Sequence, residues 1–172
     1  MFEKIKRRSL RKQIDHNLDV RDISRINAEM KTLGFLVDEG MIQELEVFDT
    51  FALDYKLQPK DVKVFSFQEV KKKLPSMRQN QVNNKDFTWK GEIQNQNAVE
   101  FLDREFDVLV GYYKGKHEFL DLMISRSNAA FKVGFTGGDE RLFDLIISLD
   151  PLNISAFKNE LKKYLQVLGK LT

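Results

Sequence analysis

The chain has 172 residues, of which 42% are hydrophobic and 14 are phenylalanine, so it is long enough to bury the core of one domain. It contains no cysteine. This excludes disulfides, thiolate metal sites and thiol nucleophiles, and it is typical of a reducing compartment. No apolar run follows the basic N-terminus, and none reaches the roughly 18–20 residues of a membrane span. We therefore expect a soluble, cytoplasmic protein without a secretory signal.

The net charge is only +2, but the charges are unevenly distributed. Six cations and Glu3 give residues 1–14 a net charge of +5, which leaves −3 for the rest of the chain. The six cations are Lys4, Lys6, Arg7, Arg8, Arg11 and Lys12. The sequence therefore indicates two parts, a basic N-terminal helical arm at 1–31 and a single α/β domain at 32–172.

Apolar spacing predicts the elements in chain order. It favours one or two helices within 1–31, a buried strand at 32–38 and an amphipathic helix at about 41–57. The proline of "QPKD" (58–61) ends this helix, and "VKVFSF" (62–67) is a second strand.

Two polar segments follow the second strand. Residues 71–85 have neither the helical nor the strand period, so we expect a mobile surface loop there. "DFTWKGEI" (86–93) alternates apolar and polar residues, which predicts a half-exposed strand at a sheet edge. Its direction cannot be predicted. Phe87 and Trp89 could stack on nucleic-acid bases, but their shared face more simply belongs to the core.

The second half of the chain alternates regularly between helix and strand. The predicted elements are a short helix at 95–104, a strand at 106–113, a helix at 117–127, strands at 129–135 and 142–149, and a C-terminal helix opened by Asn153 or Ser155. Long crossovers between strands call for a mostly parallel sheet with helices on both faces. We predict a three-layer Rossmann-like or flavodoxin-like α/β domain with five or six strands.

In open parallel sheets, ligands bind beyond the carboxyl ends of the strands. The segment at 111–117 lies at such an end, and it combines two glycines with two lysines and a helix start. Its candidate ligand-binding residues are Gly111, Lys114, Gly115, Lys116 and His117. Close backbone approach, positive charge and helix N–H groups could together hold an anion such as a phosphate. The simpler alternative is a tight turn with solvated lysines.

Signs of catalysis are weak. No glycine-rich phosphate fingerprint and no nucleophile elbow is present, and the two histidines lie far apart in the sequence. Carboxylates at other strand ends, such as Asp38, Glu39, Asp139 and Asp150, are more often helix caps or turn residues than catalysts. We therefore assign no catalytic residue, metal site or cofactor, and the sequence favours a binding protein over an enzyme.

The basic arm is the other candidate site. Its six cations could grip nucleic-acid phosphates or, more weakly, lie on an anionic membrane surface. The alternative is an ordinary solvated helix whose apolar stripe packs on the domain.

The segments "MKTLGFLVDEG", "KDFTWKGEI", "FDVLVGYYKGKHEFLDLMI" and "AAFKVGFTGG" together resemble a family of short bacterial α/β proteins of unknown function. The resemblance covers nearly the whole chain and implies no activity, cofactor or catalytic residue. Residues 106–135 are also faintly similar, at the level of the fold, to one half of nucleotide-sugar glycosyltransferases.

These observations favour a non-catalytic cytoplasmic α/β binding module. Its basic N-terminus would associate with a polyanion or with a larger assembly of protein or nucleic acid. The alternative is a small enzyme or sensor that holds a nucleotide or phosphorylated metabolite at the carboxyl ends of the strands. The sequence does not determine the oligomeric state.

Overall fold

A computed structural model describes residues 2–172, with the side chain of Phe2 excepted. Within that range the chain forms a single all-parallel sheet of six strands in the order β3-β2-β1-β4-β5-β6. The strands are β1 (Leu33–Asp38), β2 (Val62–Gln68), β3 (Gln81–Asn83), β4 (Val108–Tyr112), β5 (Phe131–Phe135) and β6 (Leu145–Ile147). The α-helices are α1 (Phe2–Asp19), α2 (Thr50–Asp54), α3 (Gln96–Asp103), α4 (Glu118–Arg126) and α5 (Ile154–Val167).

The predicted three-layer α/β fold is confirmed. The strand order reverses between β1 and β4, as in the Rossmann-like arrangement. Side chains alternate across the sheet, so each face of β1 belongs to a different core. Phe35 packs in the core that contains α2 and α5. Its neighbour Leu36 packs in the core that contains α1, α3 and α4.

The N-terminal segment forms one helix, α1, followed by irregular turns over residues 20–32. Leu10 and Ile14 are buried in the core that α1 shares with α4. The segment after α1 is tied to the sheet, because Arg21 Nη2 lies 2.7 Å from Asp144 Oδ2. A buried lysine, Lys170, also donates from Nζ to the carbonyl of Ala28 at 3.1 Å. The predicted arm is therefore packed against the rest of the chain.

Two predicted elements differ from the structure. The helix predicted at 41–57 is replaced by a 3₁₀ helix, Leu45–Asp49, and the short α2. Both kinds of helix bring residues three apart onto one face, so the apolar spacing does not distinguish them. The strand predicted at 86–93 is wrong, because this segment folds back on itself and a single antiparallel bridge joins Phe87 to Ile93.

The edge strand lies instead within 71–85, the segment predicted to be a loop. Its residues Gln81 to Asn83 form β3, which pairs with the end of β2. The polar side chains of β3 are buried with partners: Gln81 Nε2 donates to Glu39 Oε2 at 2.6 Å, and Asn83 Oδ1 accepts the N–H of Lys85 at 2.8 Å. A polar sequence can therefore form a strand because each buried polar group is satisfied. The mobility of the rest of this segment stays a prediction.

Candidate functional site

The segment from Gly111 to His117 begins inside β4 and leads to the start of α4 at the carboxyl edge of the sheet. Lys114 and Lys116 are exposed. Gly115 has φ +69, and no atom lies within 4 Å of the position a Cβ would occupy. The left-handed backbone at Gly115 is what a glycine accommodates without strain. The two lysines and Gly115 thus form an open turn where a ligand could approach.

Gly111 has a different environment from the rest of this segment. It lies inside β4 and is buried. A Cβ atom on Gly111 would lie 3.0 Å from Tyr113 Cε1 and 3.1 Å from Phe143 Cε1. These aromatic rings fill the space that a side chain at Gly111 would need. Gly111 therefore has a packing role in the core.

His117 is the N-cap of α4. The backbone N–H of Leu120 donates to His117 Nδ1 at 3.1 Å, so the neutral imidazole carries its proton on Nε2. Burial lowers the pKa of His117, while the nearby Asp38 carboxylate acts in the opposite direction. The Phe67 ring packs edge-on at 4.7 Å between centroids. His117 therefore presents a neutral Nε2–H donor at physiological pH.

His117 lines a surface pocket of about 350 Å³, which we call the upper pocket. Its lining residues are Glu3, Lys6, Arg7, Glu69, Asn84, Lys85, Lys116, His117, Glu118 and Phe119. Burial lowers the pKa of Lys6, and the neighbouring cation Lys85 lowers it further. Burial also raises the pKa of Glu69, and the neighbouring cations Lys85 and Lys6 lower it. Lys116 lines the upper pocket and Lys114 does not.

A second cleft, of about 510 Å³, lies between α1 and the carboxyl edge of the sheet. Lys116 and Arg11 lie on its wall, as does the buried carboxylate of Asp121. The Tyr113 hydroxyl donates to Asp121 Oδ1 at 2.5 Å, and the N–H of His117 donates to Oδ2 at 3.2 Å. Burial nevertheless raises the pKa of Asp121 to about 6. This cleft has mixed charge, because its walls carry carboxylates as well as cations.

The remaining carboxylates at strand ends have structural partners. Glu39 is buried and accepts from Arg78 and Gln81, so it holds β3 at the edge of the sheet. Asp139 caps the 3₁₀ turn before β6 and pairs with Arg141, whose hydrogen bonds lower the pKa of Asp139. Asp150 Oδ1 accepts the N–H of Leu152 at 3.0 Å in a turn. Asp139 and Asp150 therefore act as cap and turn residues, and Glu39 anchors the edge strand.

The six cations of the arm divide between two faces of α1. Lys6 and Arg7 face the rest of the protein. Lys6 Nζ donates to the carbonyl of Asn84 at 3.0 Å and lies 5.2 Å from the centre of the Phe119 ring. Arg7 Nε lies 3.0 Å from Glu118 Oε1. Both cations join α1 to the pocket region around the start of α4.

The other four cations are exposed and form what we call the outer stripe, in which Arg11 also borders the second cleft: Lys4, Arg8, Arg11 and Lys12. Their spacing of i, i+4, i+7 and i+8 places them on one face of the helix. Within the part of the chain that the structure describes, no acidic side chain lies within 4.0 Å of their charged groups. The outer stripe is a solvated row of positive charge about 12 Å long, given a rise of about 1.5 Å per residue.

Trp89 lies where sequence reasoning did not place it. The alternation of apolar and polar residues in 86–93 predicted that Trp89 shares a core-facing side with Phe87. Phe87 is buried, but Trp89 is 53% exposed. The reason is a tight turn, in which the N–H of Gly91 donates to the carbonyl of Thr88 at 3.0 Å and Gly91 has φ +85. A turn breaks the strand period, so neighbouring positions of the predicted strand face different surroundings.

Across residues 2–172, no group of three or more histidine, aspartate and glutamate side chains is arranged to hold a metal ion. None of the helices in this range has the length and apolarity needed to cross a membrane.

Comparison with protein families matches residues 6–168 to the family of unknown function DUF6913. The chain belongs to this family. The expectation of a family of unknown function is thus confirmed, and the match carries no information on a bacterial source or on glycosyltransferases. Comparisons with curated proteins and with solved structures find no match.

Proposed function

We propose that this DUF6913 protein is a non-catalytic, cytoplasmic binding module whose outer stripe contacts the phosphates of a polyanion. The observation that carries the proposal is the division of the arm, in which four cations remain exposed while the apolar side of the same helix is anchored in the core. A helix fixed to the domain presents its cations at set spacings. Binding then requires little ordering of the protein backbone.

A polyanion is favoured over a membrane surface by the small apolar area beside the outer stripe. Between Lys4 and Lys12, the large apolar side chains are Ile5 and Leu10. Ile5 is 46% exposed, whereas Leu10 is buried. One partly exposed isoleucine adds little to membrane insertion, which scales with the apolar area buried in the lipid. Phosphate contacts need only the charges.

A salt series tests the outer stripe. The affinity for a labelled single-stranded RNA and for inorganic polyphosphate would be measured by fluorescence anisotropy, with wild type and a variant carrying K4Q, R8Q, R11Q and K12Q. Four lost phosphate contacts should reduce the magnitude of the slope of log K against log salt by about 3, because each contact contributes about 0.7 on single strands. The affinity at low salt should fall at least about tenfold.

A matched control removes four exposed lysines elsewhere: K56Q, K60Q, K63Q and K71Q. This variant has the same net charge as the stripe variant, so it should bind almost as wild type if position matters and not only total charge. Equal losses in the two variants would contradict a specific role for the outer stripe. An absence of binding to either polyanion by the wild type would contradict the whole proposal.

The upper pocket supports a second candidate, a site for a phosphorylated metabolite or nucleotide. The specific observation is that Lys6 and Lys85 line the same pocket, where burial and then the charge of Lys85 lower the pKa of Lys6 although Glu3 and Glu69 act in the opposite direction. Lys116 and the Nε2–H of His117 add a further cation and a donor at the same pocket. A bound phosphate would relieve the repulsion between the lysines.

Thermal unfolding with nucleotides and sugar phosphates tests the upper pocket. A ligand present at 100 times its Kd should stabilise the protein by about 2.7 kcal/mol. K116A should abolish most of this stabilisation. K114A is the matched control, because Lys114 is exposed on the same turn but does not line the pocket. If both variants respond to the ligand as wild type does, the ligand binds elsewhere.

A further inference from the structure

Trp89 projects from the tip of a hairpin formed by residues 87–93. The N–H of Thr88 donates to the carbonyl of Glu92 at 2.9 Å, and the N–H of Gly91 donates back to the carbonyl of Thr88. Trp89 and Lys90 are therefore the two central residues of the turn. The base of the hairpin is anchored, because Phe87 is buried and Ile93 packs against the same core. The tip is fixed in place but faces solvent.

The hairpin packs directly on α1. The position that a Cβ atom would take on Gly91 lies 3.5 Å from Leu10 Cδ2 and 3.8 Å from the carbonyl oxygen of Ser9. Consecutive Cα atoms are about 3.8 Å apart, so the Cα of Trp89 lies within about 7.6 Å of the Cα of Gly91. Ser9 and Lys12 are three residues apart on the helix and are surface neighbours. The hairpin therefore packs on α1 beside Ser9, Leu10 and Gln13, and Lys12 is the cation of the outer stripe that adjoins this contact.

The exposed side chain of Trp89 has no packing role among the described residues. No other aromatic ring pairs with it there, and it belongs to neither hydrophobic core. Its one close charged contact is Lys90, whose Nζ lies 5.3 Å from the ring centre. A turn tip of this kind accepts small polar residues, so a large exposed indole is unexpected there. An exposed planar ring with a cation at its face, on a hairpin that packs against a basic helix, matches the way proteins bind unpaired nucleotides.

We propose that the polyanion is single-stranded nucleic acid, and that one of its bases stacks on Trp89 while its phosphates lie along the outer stripe. This inference rests on the proposed function of the outer stripe. A duplex keeps its bases stacked on one another, whereas a single strand offers free base faces to an aromatic side chain. Lys90 adds a cation at the stacking position, where the backbone of the strand would pass.

The protein has a single tryptophan, so its fluorescence reports on this position alone. The wild-type protein would be titrated with a 12-nucleotide RNA, the DNA of the same sequence, the corresponding duplex and inorganic polyphosphate at equal phosphate concentration. Stacking should quench Trp89 emission with both single strands. Polyphosphate should bind without quenching, because it has no bases, and the duplex should quench less than either strand.

Two variants separate stacking from charge. W89A should weaken binding of the single strand about tenfold and leave the affinity for polyphosphate unchanged, whereas W89F should keep most of the affinity because it preserves a ring. L53A is the matched control, since Leu53 is also an exposed apolar residue but lies in α2. It should bind as wild type does.

The outcomes distinguish this inference from the proposed function. If W89A binds the single strand as wild type does while the stripe variant loses affinity, stacking is overturned and the function of the stripe stands. If W89A loses affinity while the stripe variant does not, the proposed function falls. Blue-shifted Trp89 emission on anionic vesicles, without binding of the oligonucleotides, would overturn both in favour of a membrane surface.

Discussion

The two faces of α1 differ in their relation to the rest of the protein. The inner face contributes Leu10 and Ile14 to the core and Lys6 to a hydrogen bond with Asn84. The outer face carries cations that contact no acidic group among the described residues. The structure therefore shows the packed-helix interpretation for the inner face, and the polyanion contact stays a proposal for the outer face alone. A basic amphipathic segment need not be assigned wholly to stability or wholly to binding.

The largest expected effect comes from the inner face. Leu10→Ala removes a buried side chain from the core between α1 and α4, so the free energy of unfolding should fall by about 2–5 kcal/mol. Chemical denaturation in urea measures this change. Arg8→Ala, on the outer face, is the comparison and should change the stability by no more than about 0.5 kcal/mol. Similar losses in both variants would remove the distinction between the faces.

The cleft beside α1 should make stability depend on pH through Asp121. The folded state raises its pKa from 3.8 to about 6, mainly by burial, so folding favours the protonated form. This contribution stabilises the protein at low pH and is lost as the pH rises from about 4 to 6, by up to about 3 kcal/mol. Asp139 and Lys116 also face this carboxylate and modulate the shift.

Asp121→Asn removes the titrating group, so its stability should lack the fall that wild type shows between pH 4 and 6. Urea unfolding at several pH values gives the difference between the two proteins. The other titrating groups are common to both proteins and cancel to first order. A difference that stays constant across this window would show that Asp121 keeps an ordinary pKa.

A smaller effect separates two lysines of the same helix. Lys6→Ala should lower the free energy of unfolding by about 1 kcal/mol, because the carbonyl of Asn84 loses its donor and the Phe119 ring loses its cation. Lys4→Ala should instead weaken polyanion binding without a measurable change in stability. Urea unfolding and fluorescence anisotropy, measured on both variants, test these different roles of the two lysines. A loss of stability in Lys4→Ala together with a loss of polyanion binding in Lys6→Ala would contradict this division between the two faces.

The smallest effect concerns Asp15, which extends the outer face by one turn. It pairs with Arg141 at 3.1 Å, and both side chains are well exposed. Asp15→Asn should change stability by less than about 0.5 kcal/mol, because exposed ion pairs contribute little. It also removes a negative charge beside the outer stripe, so polyanion affinity should rise by a few fold. An unchanged affinity would mean that the binding surface ends before Asp15.

The layered fold was predictable from the sequence because its central strands are nearly continuous apolar runs. The edge strand was not, since Gln81 and Asn83 appear solvent-exposed until their partners in the folded protein are known. The candidate site was predictable only in part. The helix-capping role of His117 requires the geometry of α4, and the approach of Lys6 and Lys85 joins residues far apart in the chain. Such contacts between distant residues depend on tertiary structure and leave no local pattern in the sequence.

The length of the edge strands limits how a partner can attach. Both β3 and β6 consist of three residues, so neither edge offers the long row of free backbone groups on which an added strand could pair. Growth of the sheet by a partner's strand is correspondingly disfavoured, so the polyanion contact proposed above relies on side chains. The surfaces that remain for this purpose are the carboxyl edge of the sheet, the hairpin tip and the outer face of the first helix.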